Sequence, residues 1–272
     1  MSPKLKSSNN NPAYGVCNVS IAALRKDATH TSEMVSQMLF GESFTVLDST
    51  SNDTWDYIKN SYDNYEGWLH KKHYFKISKS TFIKIHKSKI AVASEMQSAI
   101  ILQGEKTVIP ILAGSELPLL SEGEMHIDKK SFNFKGKSFS EIKNPDRNKI
   151  LKTAFQFLHA PYLWGGRSEF GIDCSGFSQL VYKLNGIKIP RDAYQQAEQG
   201  TELDFIEEVL PGDLAFFDNE SGKITHVGIV ISPSEIIHAS GTVHIDGLDL
   251  KGIYDEKKGV YSHHLRSLQR FF

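Results

Sequence analysis

The sequence predicts a chain of several domains, in which two small all-β barrels precede one α+β domain. Its 272 residues exceed the length of one typical domain. Short apolar runs separated by Gly, Asn and Asp turns fill the first half, which is typical of small barrels. Helical periodicity begins only after residue 147, and strand-like runs then return until the C terminus. Helices and strands therefore share the last domain.

The composition is that of an ordinary globular protein, with 40% hydrophobic and 23% charged residues. Lys and Arg number 31 against 32 Asp and Glu, so no broad positive field is available for nucleic acid. No apolar run approaches 18 residues, which argues against a membrane span. The two cysteines, Cys17 and Cys174, are too few and too far apart to suggest a disulfide framework or a Cys-rich zinc site.

Residues 1–12 are rich in Ser, Asn and Lys and are predicted to be disordered. They contain no apolar core that a secretory signal needs. We therefore expect either a protein of the bacterial cytoplasm, or one of the periplasm or cell envelope whose export signal is missing from this sequence.

The first barrel is predicted at residues 13–78 and the second at residues 79–140. The runs VSIAAL, SFTVLD, WDYIK and GWLHKKHYFKI are the strand candidates of the first barrel. The second repeats this texture with FIKI, KIAVA, AIILQ, KTVIPIL and ELPLL. Two modules of roughly sixty residues fill the span without a long structureless loop.

The third domain is predicted at residues 141–272. Leu151, Phe155 and Leu158 have the spacing of one helix face. A second helix follows Asp173 and ends at Asn185-Gly186. Its apolar face would contain Phe177, Leu180, Val181 and Leu184, and the strands that follow would be 213–217, 226–231, 235–240 and a weaker one near 260. This order predicts an antiparallel meander packed with helices.

Cys174 would lie in the first turn of that second helix. The positive end of the helix dipole and the free amides there stabilise an anion, which lowers the pKa of a thiol. Buried structural cysteines are common, however, and position alone does not separate the two interpretations.

Two histidines favour the catalytic interpretation. His226 begins one predicted strand and His238 lies in the next, placed symmetrically about a turn near Ser232. Such residues point to one face of a hairpin and approach within about 5 Å. The arrangement predicts a thiol, an imidazole that takes its proton, and a third group that fixes the imidazole tautomer.

The strings PYLWGG, DCSGF and THVGIV occur in this order, and there the chain resembles the NlpC/p60 family of papain-like cysteine peptidases. The resemblance covers roughly residues 145–272. It implies Cys174 as nucleophile, His226 as general base, His238 as the orienting residue and Tyr162 beside the oxyanion site. It also places Trp164 and Ser175 in the substrate groove. For Gly165 and Gly166 we favour a backbone explanation, a tight turn that other residues resist.

The first two domains resemble bacterial SH3-like (SH3b) domains, in which a GE turn and a YEGW turn flank short strands. Two such domains before an NlpC/p60 domain resemble the YkfC-type γ-D-glutamyl-L-diamino acid endopeptidases (dipeptidyl-peptidase VI). These act on peptidoglycan stem peptides with a free N-terminal L-Ala. Asp173, Glu33 and Tyr65 are our candidates for binding that ammonium. Asp192 is a further predicted substrate contact, although Ala193 follows it where many relatives carry Ser.

The predicted function is therefore hydrolysis of a γ-D-glutamyl-L-diamino acid bond by a monomeric cysteine peptidase, without cofactor or metal. The alternatives are a peptidoglycan-binding protein with an inactive peptidase domain and a cysteine amidase of the same fold. A lipid acyltransferase would need an apolar membrane-facing segment, which is not visible. A zinc site would need ligand spacing that the 11 histidines do not show, and His263-His264 is interpreted as surface or strand edge.

Overall fold

A computed structural model describes residues 12–105, 107–256 and 258–272. The chain divides into two compact units, one ending at Glu141 and the other spanning Ile142–Phe272. Apart from Pro12, the segment predicted to be disordered lies outside the described residues. No helix in the described part of the chain combines the length and the apolar character that crossing a membrane requires.

The region of the first predicted barrel is a seven-stranded antiparallel sheet. Its strands are β1 Ala13–Cys17, β2 Ile21–Arg25, β3 Met34–Leu39, β4 Ser43–Ser49, β5 Trp55–Asn60, β6 Glu66–His70 and β7 Tyr74–Ile77. In the sheet they are ordered β3-β2-β6-β5-β4-β1-β7. A short 3₁₀ turn, Lys71–His73, lies between β6 and β7 along the sequence. Leu24, Phe44 and Ile58 are fully buried in the core of this sheet. The prediction of a strand-rich first module is confirmed.

The second predicted barrel is not found as a separate closed sheet. Its strands are β8 Ala91–Ala93, β9 Gln97–Leu102, β10 Val108–Leu112, β11 Glu116–Leu117, β12 Glu124–Ile127, β13 Lys130–Lys135 and β14 Ser138–Phe139. They form a four-stranded sheet, β10-β9-β13-β12, and a three-stranded one, β11-β8-β14. Val16 and Phe40 of the first module pack in the same core as Ile100 and Phe132. A module of this size buries little surface alone, which explains the shared core.

The FIKI run, predicted as a strand, lies in helix α1, Lys79–Lys87. Ser78 caps this helix, since its side-chain oxygen accepts a hydrogen bond from the Thr81 N–H. The rings of Phe82 and His86 lie one turn apart, with centroids 4.2 Å from each other. The helix cap and the contact between these two rings outweigh the preference of the β-branched residues in this run for a strand.

The C-terminal unit is the predicted α+β domain. Its elements are α2 Arg147–Phe155, β15 Arg167–Ser168, β16 Gly171–Ile172, α3 Cys174–Leu184, α4 Ala193–Ala197, β17 Thr201–Leu203, the 3₁₀ turn Ile206–Glu208, β18 Leu214–Asp218, β19 Ile224–Ser232, β20 Glu235–Ser240, β21 Thr242–Asp249, β22 Gly252–Asp255 and β23 Val260–Arg270. The large sheet is ordered β17-β23-β18-β19-β20-β21-β22, and β22 also pairs with β23. The predicted meander is therefore present, and β21 and β22 extend it.

The predicted apolar face of α2 is wrong by one residue. Ile150, Ala154 and Phe157 are buried, whereas Phe155 is exposed. Both sets have the same i, i+4, i+7 spacing, so periodicity alone could not choose between them. The second helix is as predicted: α3 is buried along its length, and Gly186 beyond its end has φ +78°.

Candidate active site

Cys174 is the first residue of α3, and the carboxylate of Asp173 holds the loop before it. Oδ1 accepts the Gly176 N–H at 2.7 Å, and Oδ2 accepts the Gly165 N–H at 2.8 Å. The buried guanidinium of Arg191 donates to both oxygens, at 2.9 and 2.6 Å. One carboxylate thus joins the loop, the helix start and the chain beyond α3, and so fixes the position of the thiol.

This bonding gives Asp173 and Ser175 a role that the sequence did not reveal. The Ser175 hydroxyl donates to Asp173 at 3.3 Å and accepts from Arg191 at 2.9 Å. Both side chains are buried. They support the helix start that carries the predicted nucleophile, and their binding of substrate remains a prediction.

Glycine is required at two positions of the preceding loop. Gly165 has φ +76°, in the left-handed region that favours glycine. A side chain on Gly166 would place its Cβ 2.3 Å from the carbonyl oxygen of Gly171. The predicted φ requirement is therefore confirmed for Gly165, whereas Gly166 is required by the close approach of another backbone segment.

The two histidines meet across the β19–β20 hairpin. Their rings form a hydrogen bond, with Nε2 of His226 2.9 Å from Nδ1 of His238. They are diagonal rather than directly opposite, because a register shift beyond Val230 places Gly228 across from His238. An offset of two residues keeps both side chains on one face of the sheet, so the predicted pairing is confirmed.

Asp246 on β21 extends this pair and fixes its tautomers. Its Oδ2 lies 3.2 Å from Nε2 of His238, and a carboxylate only accepts. The His238 proton is therefore on Nε2, and Nδ1 of His238 accepts from Nε2–H of His226. A neutral His226 then has its lone pair on Nδ1, which can accept a proton.

Asp246 and its neighbour His244 were not predicted as site residues. Both face His238, since His244 lies directly opposite it in the β20–β21 register and Asp246 is two residues further along. The alternation of apolar and polar residues in VHID could have predicted a strand with His244 and Asp246 on the same face. It was missed because the sequence did not predict β21.

The sulfur of Cys174 lies against the chain segment that carries His226. The carbonyl oxygen of Thr225 is 4.0 Å from Sγ, and the backbone N–H of Val227 donates to the sulfur. Both immediate neighbours of His226 in β19 thus contact the thiol. The structure therefore places the sulfur of the predicted nucleophile against the strand segment that carries His226, the predicted base.

Burial raises the pKa of the Cys174 thiol to about 12, and the charge of Asp173 adds to the increase. The amides of Val227 and Ser175 lower this pKa by less. The prediction of a lowered thiol pKa is therefore wrong for the resting site. The dipole at the helix start is present, but the loss of solvation outweighs it.

Burial also lowers the pKa of His226 well below 6.5, and His263 is the next cause. The two imidazoles stack, with centroids 4.0 Å apart and planes at 24°. His263, interpreted as surface or strand edge, is partly buried in β23, and the sequence did not predict its contact with His226. Its neighbour His264 is exposed and pairs with Asp218 at 2.9 Å. The resting pair is thus a neutral thiol beside a neutral imidazole.

Tyr162 lies within electrostatic range of the thiol. Burial raises the pKa of its hydroxyl, and Cys174 and Asp173 are the next causes. This fits the predicted position beside the oxyanion site. Trp164, predicted in the groove, is 59% exposed and so available to a ligand. Asp192, the other predicted contact, is the N-cap of α4, and its N–H donates to the Gln195 side chain at 3.3 Å.

Glu33 and Tyr65 belong to the N-terminal unit. Glu33 pairs with Lys26 at 3.3 Å on the surface. Tyr65 is partly buried against the core of the first sheet. Their role as substrate contacts remains a prediction.

An open cleft of about 910 Å³ lies next to His226, although its lining includes neither His226 nor Cys174. Thr225, whose carbonyl lies near the sulfur, and His263, which stacks on His226, both line it. Its lining includes three charged residues, Asp218, Glu220 and Lys251. The cleft therefore reaches two neighbours of His226, namely Thr225 before it in the chain and His263 stacked on its ring.

Comparison with known proteins identifies this architecture. The NlpC/P60 family model matches residues 159–262, and a model described as a bacterial dipeptidyl-peptidase Sh3 domain matches residues 24–73. The "Probable endopeptidase NlpC" of Escherichia coli is 39% identical over 39% of this chain and 71% of that protein. The chain belongs to the NlpC/P60 family and is a peptidase of that family, as the sequence motifs predicted.

Two longer alignments include the N-terminal unit. The "Gamma-D-glutamyl-L-lysine dipeptidyl-peptidase" of Bacillus cereus is 29% identical over 85% of this chain and 76% of that protein. The crystal structure of an NlpC/P60 family protein from Bacillus cereus superposes with a TM-score of 0.78, covering 95% of this chain and 99% of that one at 23% identity. The fold thus extends over both units.

Replacing Asp246 with alanine is expected to lower kcat by about 10- to 100-fold with little change in KM, because the tautomer of His238 is then no longer fixed. Loss of the carboxylate also removes a charge that raises the pKa of His238. The acid limb of the pH–rate profile should therefore move to lower pH. Asp246→Asn, which keeps an acceptor oxygen, should recover part of the rate. An unchanged profile in Asp246→Ala would contradict this positioning role.

Proposed function

We propose that this protein hydrolyses the γ-D-glutamyl-L-diamino acid bond of peptidoglycan stem peptides. The arrangement that supports the reaction consists of Cys174 beside a row of hydrogen-bonded residues, His226, His238 and Asp246. The two hydrogen bonds of this row leave the lone pair of His226 on Nδ1, where it can accept a proton. The names of the relatives support the substrate, since the Bacillus cereus protein is a γ-D-glutamyl-L-lysine dipeptidyl-peptidase.

The neutral resting pair defines the order of proton transfers. Nδ1 of His226 takes the thiol proton as Sγ of Cys174 attacks the amide carbonyl carbon. The imidazolium is stabilised through His238 by Asp246, and it then protonates the leaving amine of the diamino acid. Water, deprotonated by the same nitrogen, attacks the thioester carbon and the carbon–sulfur bond breaks. The D-glutamyl carboxylate is released, and His226 returns the proton to Sγ of Cys174, which restores the neutral pair.

Two donors are available for the oxyanion of each tetrahedral intermediate. The amide of Cys174 is at the first position of α3, where an N–H has no partner within the helix. The hydroxyl of Tyr162 is the second candidate, because an ionised Cys174 would raise the pKa of this hydroxyl, as burial does to a larger extent.

We propose further that the enzyme prefers a free N-terminal L-Ala and releases a dipeptide. A free ammonium is best recognised by a carboxylate together with a hydroxyl, for which Asp173, Glu33 and Tyr65 are the predicted candidates. The diamino acid is proposed to be Lys or diaminopimelate. The side-chain amine that both carry suits an acidic wall such as Asp218 and Glu220.

The test uses L-Ala-γ-D-Glu-L-Lys and its diaminopimelate counterpart, each with a free or an N-acetylated alanine, and identifies products by mass. Cleavage after D-Glu, at least about tenfold faster for the free amine, is the expected result. Equal rates for both forms would refute the preference and leave the peptidase in place. Cleavage between the sugar and L-Ala in muropeptides would indicate an amidase instead. Binding without cleavage would indicate an inactive peptidase domain.

A further inference from the structure

Three possible metal ligands converge behind the catalytic histidine pair. One possible ligand atom from each of His238, His244 and Asp246 lies within 4.8 Å of the other two. Oδ2 of Asp246 is 3.2 Å from Nε2 of His238 and 3.1 Å from Nε2 of His244. The three residues come from the adjacent strands β20 and β21, which are paired without a bulge at this point. The separations are therefore set by the sheet.

The orientation of His244 distinguishes this cluster from an ordinary hydrogen-bonded one. Its Nδ1 lies 2.8 Å from the carbonyl oxygen of Thr242, which can only accept, so Nδ1 carries a proton. In a neutral ring Nε2 then has only a lone pair, and this lone pair faces the Asp246 oxygen. Two acceptors at this distance repel unless a cation lies between them, either a proton or a metal ion.

We propose that His238, His244 and Asp246 bind a divalent transition-metal ion of the Zn²⁺ type. A tetrahedral Zn²⁺ with bonds of about 2.0–2.1 Å separates its ligands by roughly 3.3 Å, close to the two distances observed here. The donation of Nδ1–H by His244 to a backbone carbonyl is the usual support for a metal-binding imidazole. Two imidazoles and one carboxylate suit Zn²⁺, Ni²⁺ or Fe²⁺ rather than Ca²⁺ or Mg²⁺.

The ion would have access from solvent and an open coordination position. The His244 side chain is 34% exposed and that of Asp246 is 16% exposed, whereas His238 is 1% exposed. The buried ligand is therefore the one shared with the catalytic relay, and the two exposed ligands form the entry. Water would complete the coordination sphere.

Metal binding at this position would inhibit the peptidase. The ion displaces the proton from Nε2 of His238 to solvent, and the His226 proton on Nε2 moves across the hydrogen bond to Nδ1 of His238. His226 regains one proton from solvent, at Nδ1, so each neutral ring again carries one. An Nδ1 that already carries hydrogen can accept neither the thiol proton nor the proton of the hydrolytic water. The inhibition rests on the proposed function, whereas the binding does not.

The binding test uses Co²⁺ with the full chain carrying Cys174→Ala, which removes the thiol as a competing ligand. One equivalent should bind and produce visible absorption, without a thiolate charge-transfer band. Adding His244→Ala, at a partly exposed position, should weaken Co²⁺ binding by roughly 100-fold or more. His264→Ala, an exposed histidine outside the cluster, is the matched control. Melting curves verify folding, and His244→Gln replaces the alanine variant if it unfolds.

The activity test titrates Zn²⁺ against peptide hydrolysis and compares each variant with its own metal-free rate. The half-inhibitory Zn²⁺ concentration should rise at least about tenfold in His244→Ala and remain unchanged in His264→Ala. Co²⁺ binding that survives His244→Ala, or that requires Cys174, would overturn the site. So would the absence of binding at micromolar Co²⁺, which would show that a proton occupies the gap. Failure of the peptide assay alone would leave the binding result intact.

Discussion

Replacing Cys174 with alanine is expected to lower kcat by at least about 10⁴-fold, since the thioester cannot form without the sulfur. The residual rate would come from the oxyanion donors and substrate binding alone. Peptide hydrolysis monitored by mass over several hours provides the necessary range. Substrate affinity should change little, which equilibrium binding to the variant would measure.

The chain contains its own matched control in Cys17. This cysteine is fully buried in the core of the first sheet, and its sulfur lies 3.6 and 3.9 Å from the carbonyls of Val19 and Met38. Cys17→Ala should lower the melting temperature and leave kcat unchanged. Retention of more than about 1% of kcat in Cys174→Ala, or an equal loss in Cys17→Ala, would be incompatible with Cys174 as nucleophile.

Replacing His226 with alanine is expected to lower kcat by about 10³- to 10⁴-fold, because the thiol then has no proton acceptor and burial keeps it protonated. His238→Ala should cost less, since His238 acts through His226. The order of these losses, measured as kcat at saturating peptide, tests the direction of the relay. A larger loss in His238→Ala than in His226→Ala would contradict it.

The pH dependence follows from the same base. His226 must be neutral to accept a proton, and burial and its histidine neighbours hold its pKa below 6.5. Activity should therefore persist as pH falls through 6.5 and decline only below it. Thiol ionisation should add no alkaline limb below about pH 12. His263→Asn removes a neighbour that lowers this pKa, so its acid limb should move to higher pH. An acid limb above pH 6.5 in the unmodified enzyme would contradict the neutral resting pair.

Much of the site was predictable because its signals are local. Cys174 follows a capping Asp at a helix start, and Gly165 meets a backbone requirement of its own turn. His226 and His238 are separated by one hairpin, so strand alternation alone places them on one face. Each of these inferences depends on a few neighbouring residues and on the period of one element.

The sequence predictions of secondary structure were wrong where two local patterns competed. FIKI satisfies both a strand and a helix, and the Ser78 cap selects the helix. In α2 two apolar sets share one spacing, and contact with the rest of the domain selects the set containing Ile150. The second barrel was predicted to be independent because the sequence of neither module indicates that the two share a hydrophobic core.

The order of motifs along the chain was sufficient to predict the family, and it makes Cys174 and His226 the candidates for nucleophile and base, since each motif encodes its own backbone geometry. Tertiary structure decided the rest. Arg191 reaches Asp173 from beyond the helix, β21 brings Asp246 to His238, and β23 brings His263 to His226. These contacts join distant segments, and the solvation that sets the thiol pKa depends on everything packed around it. Neither these long-range contacts nor the solvation of the thiol can be predicted from the residues on either side of Cys174.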